Sequence, residues 1–365
     1  MKSSSGAHFI ALDHVRALAA FLVFTWHFTH ANTGYPVPFE YVPALIPFSV
    51  LDEGHTGVAL FMTLSGYLFA KLLDGKSINY KAFLWNRAIR LFPLLVVVIL
   101  LDGIKNFVGG KNLSTYAYSI AKGALLPSLP NGGWSITAEF HYYVILPLFL
   151  WMLAKSRLLP LSIVFAAVAF RSLLYHSRGH IQFLAFHTII GRIDQFALGM
   201  LIYQFRMYFS RRHILTVMII IIFMVFYWYF DSLGGLYHKP PHPSSGWLWI
   251  VLPTIEGIGY AAAIAWYDNS FFHSTTGVSK FVGRIGEYSY SIYLLHFFVV
   301  FYAARLVNGR IMNISNFYLA CLWSLVCFLL MMLPGYVSFR FIEAPFLKLR
   351  RRYVVVLPSG EGTRG

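Results

Sequence analysis

Apolar runs long enough to cross a bilayer recur near residues 9–30, 55–73, 88–108, 136–154, 158–175, 183–205, 214–230, 247–266, 287–306 and 316–342. A helix needs about 20 such residues to span the hydrocarbon core, and a helix is one of few structures that satisfies its own backbone there. The pattern therefore predicts an all-α, polytopic integral membrane bundle of about ten transmembrane helices. The polar gaps alternate in charge. Every second gap is cationic: Lys71, Lys76, Lys81 and Arg87; Lys155 and Arg157; Arg206, Arg211 and Arg212; Lys280 and Arg284; and finally Lys348, Arg350, Arg351 and Arg352. The intervening gaps hold fewer cations and carry Glu40, Asp52 and Glu53. Cations favour the cytoplasmic side, so both termini are expected there. Residues 1–345 read as one transmembrane domain and 346–365 as a basic cytoplasmic tail.

Composition supports the same class. The 365 residues are 58% hydrophobic and 12% charged, whereas a soluble domain carries about 25% charged residues. The formal charge of +15 sits in the gaps between apolar runs, which records topology and contact with anionic membrane lipids. No nucleic-acid partner is expected. The N-terminal run lacks an A-x-A cleavage site and is expected to persist as a helix, in a multi-pass protein of the cell inner (plasma) membrane. Cys321 and Cys327 lie six apart on one helix, about 240° around it, and cannot pair. The 14 histidines show no H-E-x-x-H spacing, so no metal is expected.

The candidate chemistry begins in "LDHVRALAAFLVFTWH". Arg16 and His27 lie eleven residues apart, about three turns and 16 Å along a helix, and so share one face. An ionisable group at depth is costly and turns toward a bundle interior or a wet cavity. Two on one stripe suggest a polar path; the other reading is that each anchors or pairs by itself. Asp13 lies one turn before Arg16 and can pair with it. Glu139 follows Trp134 in "WSITAEFHYYVILP". Ser289, Tyr293 and His296 recur at spacings of four and three, a polar stripe that reads as pore-lining or supporting. Arg192 and Asp194 are too close in sequence to face each other, Glu256 has no assigned partner, and Ser65 reads as a backbone-bonded serine rather than a nucleophile. Glu343 reads as a structural partner for a cytoplasmic arginine. The loop 231–246 is a candidate acceptor contact or a plain connector.

Taken in order, these segments resemble acyltransferase family 3, membrane proteins that O-acylate envelope glycans and other acceptors. "LDHVRALAAFLVFTWH" resembles the first helix with its Arg-ten residues-His pair, and "GVALFMTLSGYLF" the second. "FLWNRAIRLFP" resembles the Arg-x-x-Arg segment, here Arg87 and Arg90. "WSITAEFHYYVILP" resembles the Trp-Ser-Leu segment, with Ile136 in place of Leu and His141 at a variable position. "RIDQFALGM", "GEYSYSIYLLH" and "FIEAP" resemble later helices. Many members carry an additional extracytoplasmic hydrolase-like domain, which is not expected here.

The resemblance implies transfer of an acyl group, usually acetyl, from cytoplasmic acetyl-CoA to a hydroxyl on an extracytoplasmic exopolysaccharide or lipopolysaccharide. No permanently bound cofactor is implied; acetyl-CoA is a substrate. Arg87 and Arg90 would hold the CoA phosphates. Arg16 would hold the phosphopantetheine or thioester end, and His27 would act as general base or take the acyl group covalently. Glu139 would orient the imidazole of His27. Two other classes compete: a transporter or flippase of a polar or lipid-linked glycan, and a non-catalytic scaffold. Turnover of acetyl-CoA separates the first reading from both.

Overall fold

The computed structural model describes residues 9–31, 33–237 and 246–355. The fold is all-α apart from two pairs of two-residue strands. Its main helices are α1 (Ile10–Thr29), α2 (Gly57–Leu73), α3 (Tyr80–Val108), α4 (Leu113–Lys122), α5 (Gly133–Lys155) and α6 (Leu161–Arg178). They continue as α7 (Gln182–His187), α8 (Ile189–Gln204), α9 (His213–Ser232), α10 (Leu252–Ser270), α11 (Gly277–Glu287), α12 (Ser289–Leu295), α13 (Val300–Leu306) and α14 (Phe317–Leu330). Among the described residues, five helices are long and apolar enough to cross a membrane, or six if the bent pair 289–298 and 300–311 counts as one span. This is a multi-pass helical membrane protein.

Each expected apolar run is helical, with informative departures. The run at 183–205 is divided at Thr188, whose backbone is extended and whose hydroxyl accepts from the Gly191 N–H, capping α8. Such a side chain satisfies one of the orphan donors of a helix start, so a break within an apolar run becomes tolerable. The run at 287–306 bends by 60° near Val299. Two helices that the apolar runs do not predict, α4 and α11, have 10 and 11 residues, too few to cross a bilayer. The segment after the last helix is bound to the bundle. Val354 and Val355 pair antiparallel with Ile78 and Ser77, Tyr353 is buried, and Asn86 on α3 bonds both the carbonyl and the N–H of Arg351. Residues 348–355 are thus packed onto the bundle rather than hanging from it.

The helix α1 runs through the middle, packing on α2, α11 and α14, while α8 packs on α2, α6 and α10. The α2–α8 crossing is close because Gly66 and Gly199 face backbone. A Cβ at Gly66 would lie 2.1 Å from the Phe196 carbonyl, and one at Gly199 2.1 Å from that of Thr63. Small residues at a crossing let helices in lipid gain dispersion contacts that lipid chains cannot replace. Gly199→Val is therefore expected to cost about 1–3 kcal/mol, the range of overpacked cores. Thermal unfolding in detergent reads this; an unchanged midpoint would mean that the crossing is loose.

The buried charges around α8 are matched across helices. Arg171 on α6 donates to Asp194 at 2.7 Å, and Thr254 donates to the same oxygen at 2.5 Å. Arg192 lies 3.8 Å from Glu256. Glu256 accepts from Thr56, Gln195 and Tyr227 at 2.7, 2.8 and 2.5 Å. Removing one member of such a pair strands a charge in apolar surroundings, which is the costly change. These groups hold α2, α6, α8, α9 and α10 together.

Candidate active site

Two chambers open beside α1. The lower one is lined by Asp13 and Arg16 from α1, Ser65 from α2, Arg87 and Arg90 from α3, Glu139 and Tyr143 from α5, Ser289 and Tyr293 from α12, and Arg350 and Tyr353 from the returning C-terminal segment. The upper one is lined by Trp26 and His27 from α1, His55, Trp134, His187, Tyr237 and Phe297. Val58 and Tyr293 line both, so the chambers meet at these two side chains. Arg16 and His27 occupy the two chambers, as their shared helix face places them.

Four guanidinium groups face the lower chamber. Arg16 is paired with Asp13 one turn earlier. Arg90 donates to Glu343 at 2.9 Å, and Ser291 donates to the other oxygen of that carboxylate. Arg87 and Arg350 form no ion pair among the described residues. Arg87 lies against the rings of Phe69, Phe83 and Tyr143 at 5.4, 5.6 and 5.9 Å. The buried Nε of each of these two arginines has no hydrogen-bond partner among the described residues. Burial, with Arg90 and Arg87 close by, pushes the Arg350 guanidinium down to about 10. It stays charged at neutral pH, and its depression measures how poorly that charge is compensated. An anion entering here meets unpaired, preoriented donors.

Arg350 was invisible as a site residue in the sequence. It reads there as one cation of a topological cluster, and only the fold-back of 348–355 carries it to Arg87 and Arg90.

In the upper chamber, His27 Nδ1 is 2.8 Å from the Val23 carbonyl and 3.3 Å from His296 Nε2. His296 Nδ1 is 2.5 Å from the Tyr293 carbonyl. A carbonyl only accepts, so each Nδ1 carries its hydrogen. His296 Nε2 is then a lone pair able to share the His27 Nδ1 hydrogen, and His27 Nε2 is left as an unprotonated base. The two bonds fix both ring and tautomer. Phe297 packs at 4.5 Å and Trp26 at 4.6 Å from the His27 ring.

Glu139 is not at His27. Its carboxylate accepts from Ser65 at 3.2 Å and from Tyr143, both facing the lower chamber. The expectation that Glu139 orients the imidazole is therefore replaced by an orientation from Val23 and His296. Ser65 likewise bonds a carboxylate instead of backbone. The reason is rotational: on α5 Glu139 turns toward α2 and α3, whereas the upper chamber meets α5 at its first turn, through Trp134. Ser135 donates to the Tyr293 hydroxyl at 2.9 Å, tying α5 to α12 where the chambers meet. Ser289 is buried against the lower chamber.

Of the loop 231–246, Leu236 and Tyr237 line the upper chamber, while residues 238–245 lie outside the described residues. Trp26 and Trp134 face the same chamber, and Trp26 stacks on Tyr237 at 5.4 Å and 3°. Among the described residues no cluster of His, Cys, Asp and Glu is arranged to hold a metal ion.

No solved structure matches the chain. It is similar to proteins named "Putative O-acetyltransferase" from Staphylococcus aureus strains COL, MSSA476 and MRSA252, 26% identical in each case over 348 residues. The match covers 82% of this chain and 53% of each relative, so the chain spans about half the length of the curated relatives it matches. The Acyltransferase domain profile aligns with residues 9–333, a region that contains the upper chamber's lining and all of the lower one's but Phe339, Arg350 and Tyr353, and the chain belongs to acyltransferase family 3.

Proposed function

We propose that this chain is a membrane O-acetyltransferase that moves an acetyl group from cytoplasmic acetyl-CoA to a hydroxyl of an extracytoplasmic carbohydrate of the cell envelope. The observation that carries this reading is the pair of chambers meeting at Val58 and Tyr293, one cationic and one holding an oriented free imidazole. A CoA ester has those two needs. Its phosphates call for Arg87, Arg90 and Arg350 at the cytoplasmic mouth. Its pantetheine arm passes Arg16 and carries the thioester past Tyr293 to His27.

There, His27 Nε2 takes the proton of the acceptor hydroxyl as its oxygen attacks the thioester carbonyl. The C–S bond breaks, and the departing CoA sulfur recovers the proton from the imidazolium. The new C–O bond and the free thiol balance the reaction. Acetyl-CoA consumed by the purified protein, with acetyl appearing on envelope polysaccharide, is the expected result; binding without turnover would favour a transporter.

Sidedness is the second element, with both termini cytoplasmic in an inner-membrane bundle of about ten spans. With Cys321 and Cys327 replaced by Ala, Lys76→Cys is expected to resist an impermeant thiol reagent in intact cells, while Glu40→Cys reacts. Both positions are exposed. Reversed labelling would invert the chain and put the cationic chamber on the wrong side for CoA.

A further inference from the structure

The upper chamber holds three imidazoles that the mechanism leaves idle, His55, His180 and His187, and of these His55 alone is fixed by a carboxylate among the described residues. His55 lies in the turn leading into α2, with its side chain 2% exposed. Its Nε2 is 2.6 Å from Glu53 Oε2. The carboxylate is itself fixed, since the Leu236 N–H reaches its two oxygens at 3.2 and 3.1 Å. Gly235, at φ +53°, lets the loop close on it; a Cβ there would lie 1.5 Å from Glu53 Oε1.

The ionised carboxylate only accepts, so His55 Nε2 carries the hydrogen and Nδ1 keeps a lone pair. That Nδ1 is buried with no hydrogen-bond partner among the described residues, on a side chain that lines the chamber. A buried acceptor left unmet is costly, and native structures nearly always supply its donor. Trp26 is edge-on to both imidazoles, 4.6 Å from His27 and 6.0 Å from His55. One ligand lying along that indole can therefore reach both.

We infer that the His55–Glu53 pair positions the acceptor, His55 Nδ1 accepting a hydrogen bond from a second hydroxyl of a polyhydroxylated molecule while His27 works on the first. This rests on the reading of the upper chamber as the acceptor site, and it adds that a lone alcohol is a poor substrate. A carboxylate-backed imidazole is also a competent base, but the polar stripe from Arg16 leads to His27, not to His55. His55 is a positioning residue.

The test uses the full chain in nanodiscs, acetyl-CoA as donor, and envelope polysaccharide stripped of its O-acetyl groups by mild alkali as acceptor probe. His55→Ala is expected to raise the acceptor KM about tenfold, the loss of one buried hydrogen bond, while kcat and the acetyl-CoA KM hold. His55→Asn, whose amide oxygen reaches the Nδ1 position, should recover much of the loss. A fall in kcat at unchanged acceptor KM, or no recovery with Asn, overturns the inference.

A second measurement needs no variant. In protein carrying isotope-labelled histidine, the His55 Nδ1 resonance should move upfield on saturation with the stripped polysaccharide, as a bare lone pair gains a hydrogen bond, and should stay put with acetyl-CoA. An unmoved resonance overturns the inference. A shifted resonance in a protein that transfers nothing upholds it and sinks only the proposed activity.

Discussion

Replacing His27 by alanine is expected to lower acetyl transfer by about 10²–10⁴-fold, the range that general acid–base catalysis supplies, while acetyl-CoA binding persists. The separation follows from geometry. His27 faces the upper chamber, and the guanidinium groups proposed to meet the phosphates face the lower one. The variant should fold, because a methyl group leaves space where an open chamber already exists. It also removes no ion pair, since the hydrogen-bond partners of His27 among the described residues are the Val23 carbonyl and His296. Rates of acetyl transfer to de-acetylated polysaccharide and a parallel acetyl-CoA titration check both halves. Full activity in the variant would move the chemistry away from α1.

The second large effect is expected at the cationic mouth. Arg87→Ala combined with Arg350→Ala should weaken acetyl-CoA affinity by about 10²–10⁴-fold, because hydrogen bonds to charged groups contribute about 1.5–3 kcal/mol each. These two arginines are the informative choice. Arg90 is held by Glu343 and Arg16 by Asp13, so removing either also takes the cationic partner from a carboxylate and mixes stability with binding. Arg87 and Arg350 form no ion pair among the described residues, and removal of Arg350 relieves crowding among like charges. Dephospho-CoA should lose less on mutation than CoA does, since it offers one phosphate fewer. Calorimetry showing unchanged affinity in the double variant would place the nucleotide elsewhere.

Much of the outline was legible in one dimension. Apolar length placed the helices, because backbone desolvation in lipid leaves helices as the option for such runs. Helical periodicity put Arg16 and His27 on one face, and the ordered motifs identified the family. Tertiary structure decided what the partners are. Glu139 turned out to bond Ser65 and Tyr143 and not His27, because a helix fixes the spacing of side chains along itself but not which neighbour its face meets. Arg350 joined Arg87 and Arg90 through the two-residue strand pairing of 354–355 with 77–78, a contact too short to leave a pattern in sequence. Glu53, in a gap that read as topology, and His55, at the head of the apolar run 55–73, became an oriented pair only when the loop at Gly235 and Leu236 closed over the carboxylate. Local propensity and hydropathy are properties of consecutive residues and can be read along the chain. The direction of a lone pair depends on atoms from distant segments, and only packing brings those together.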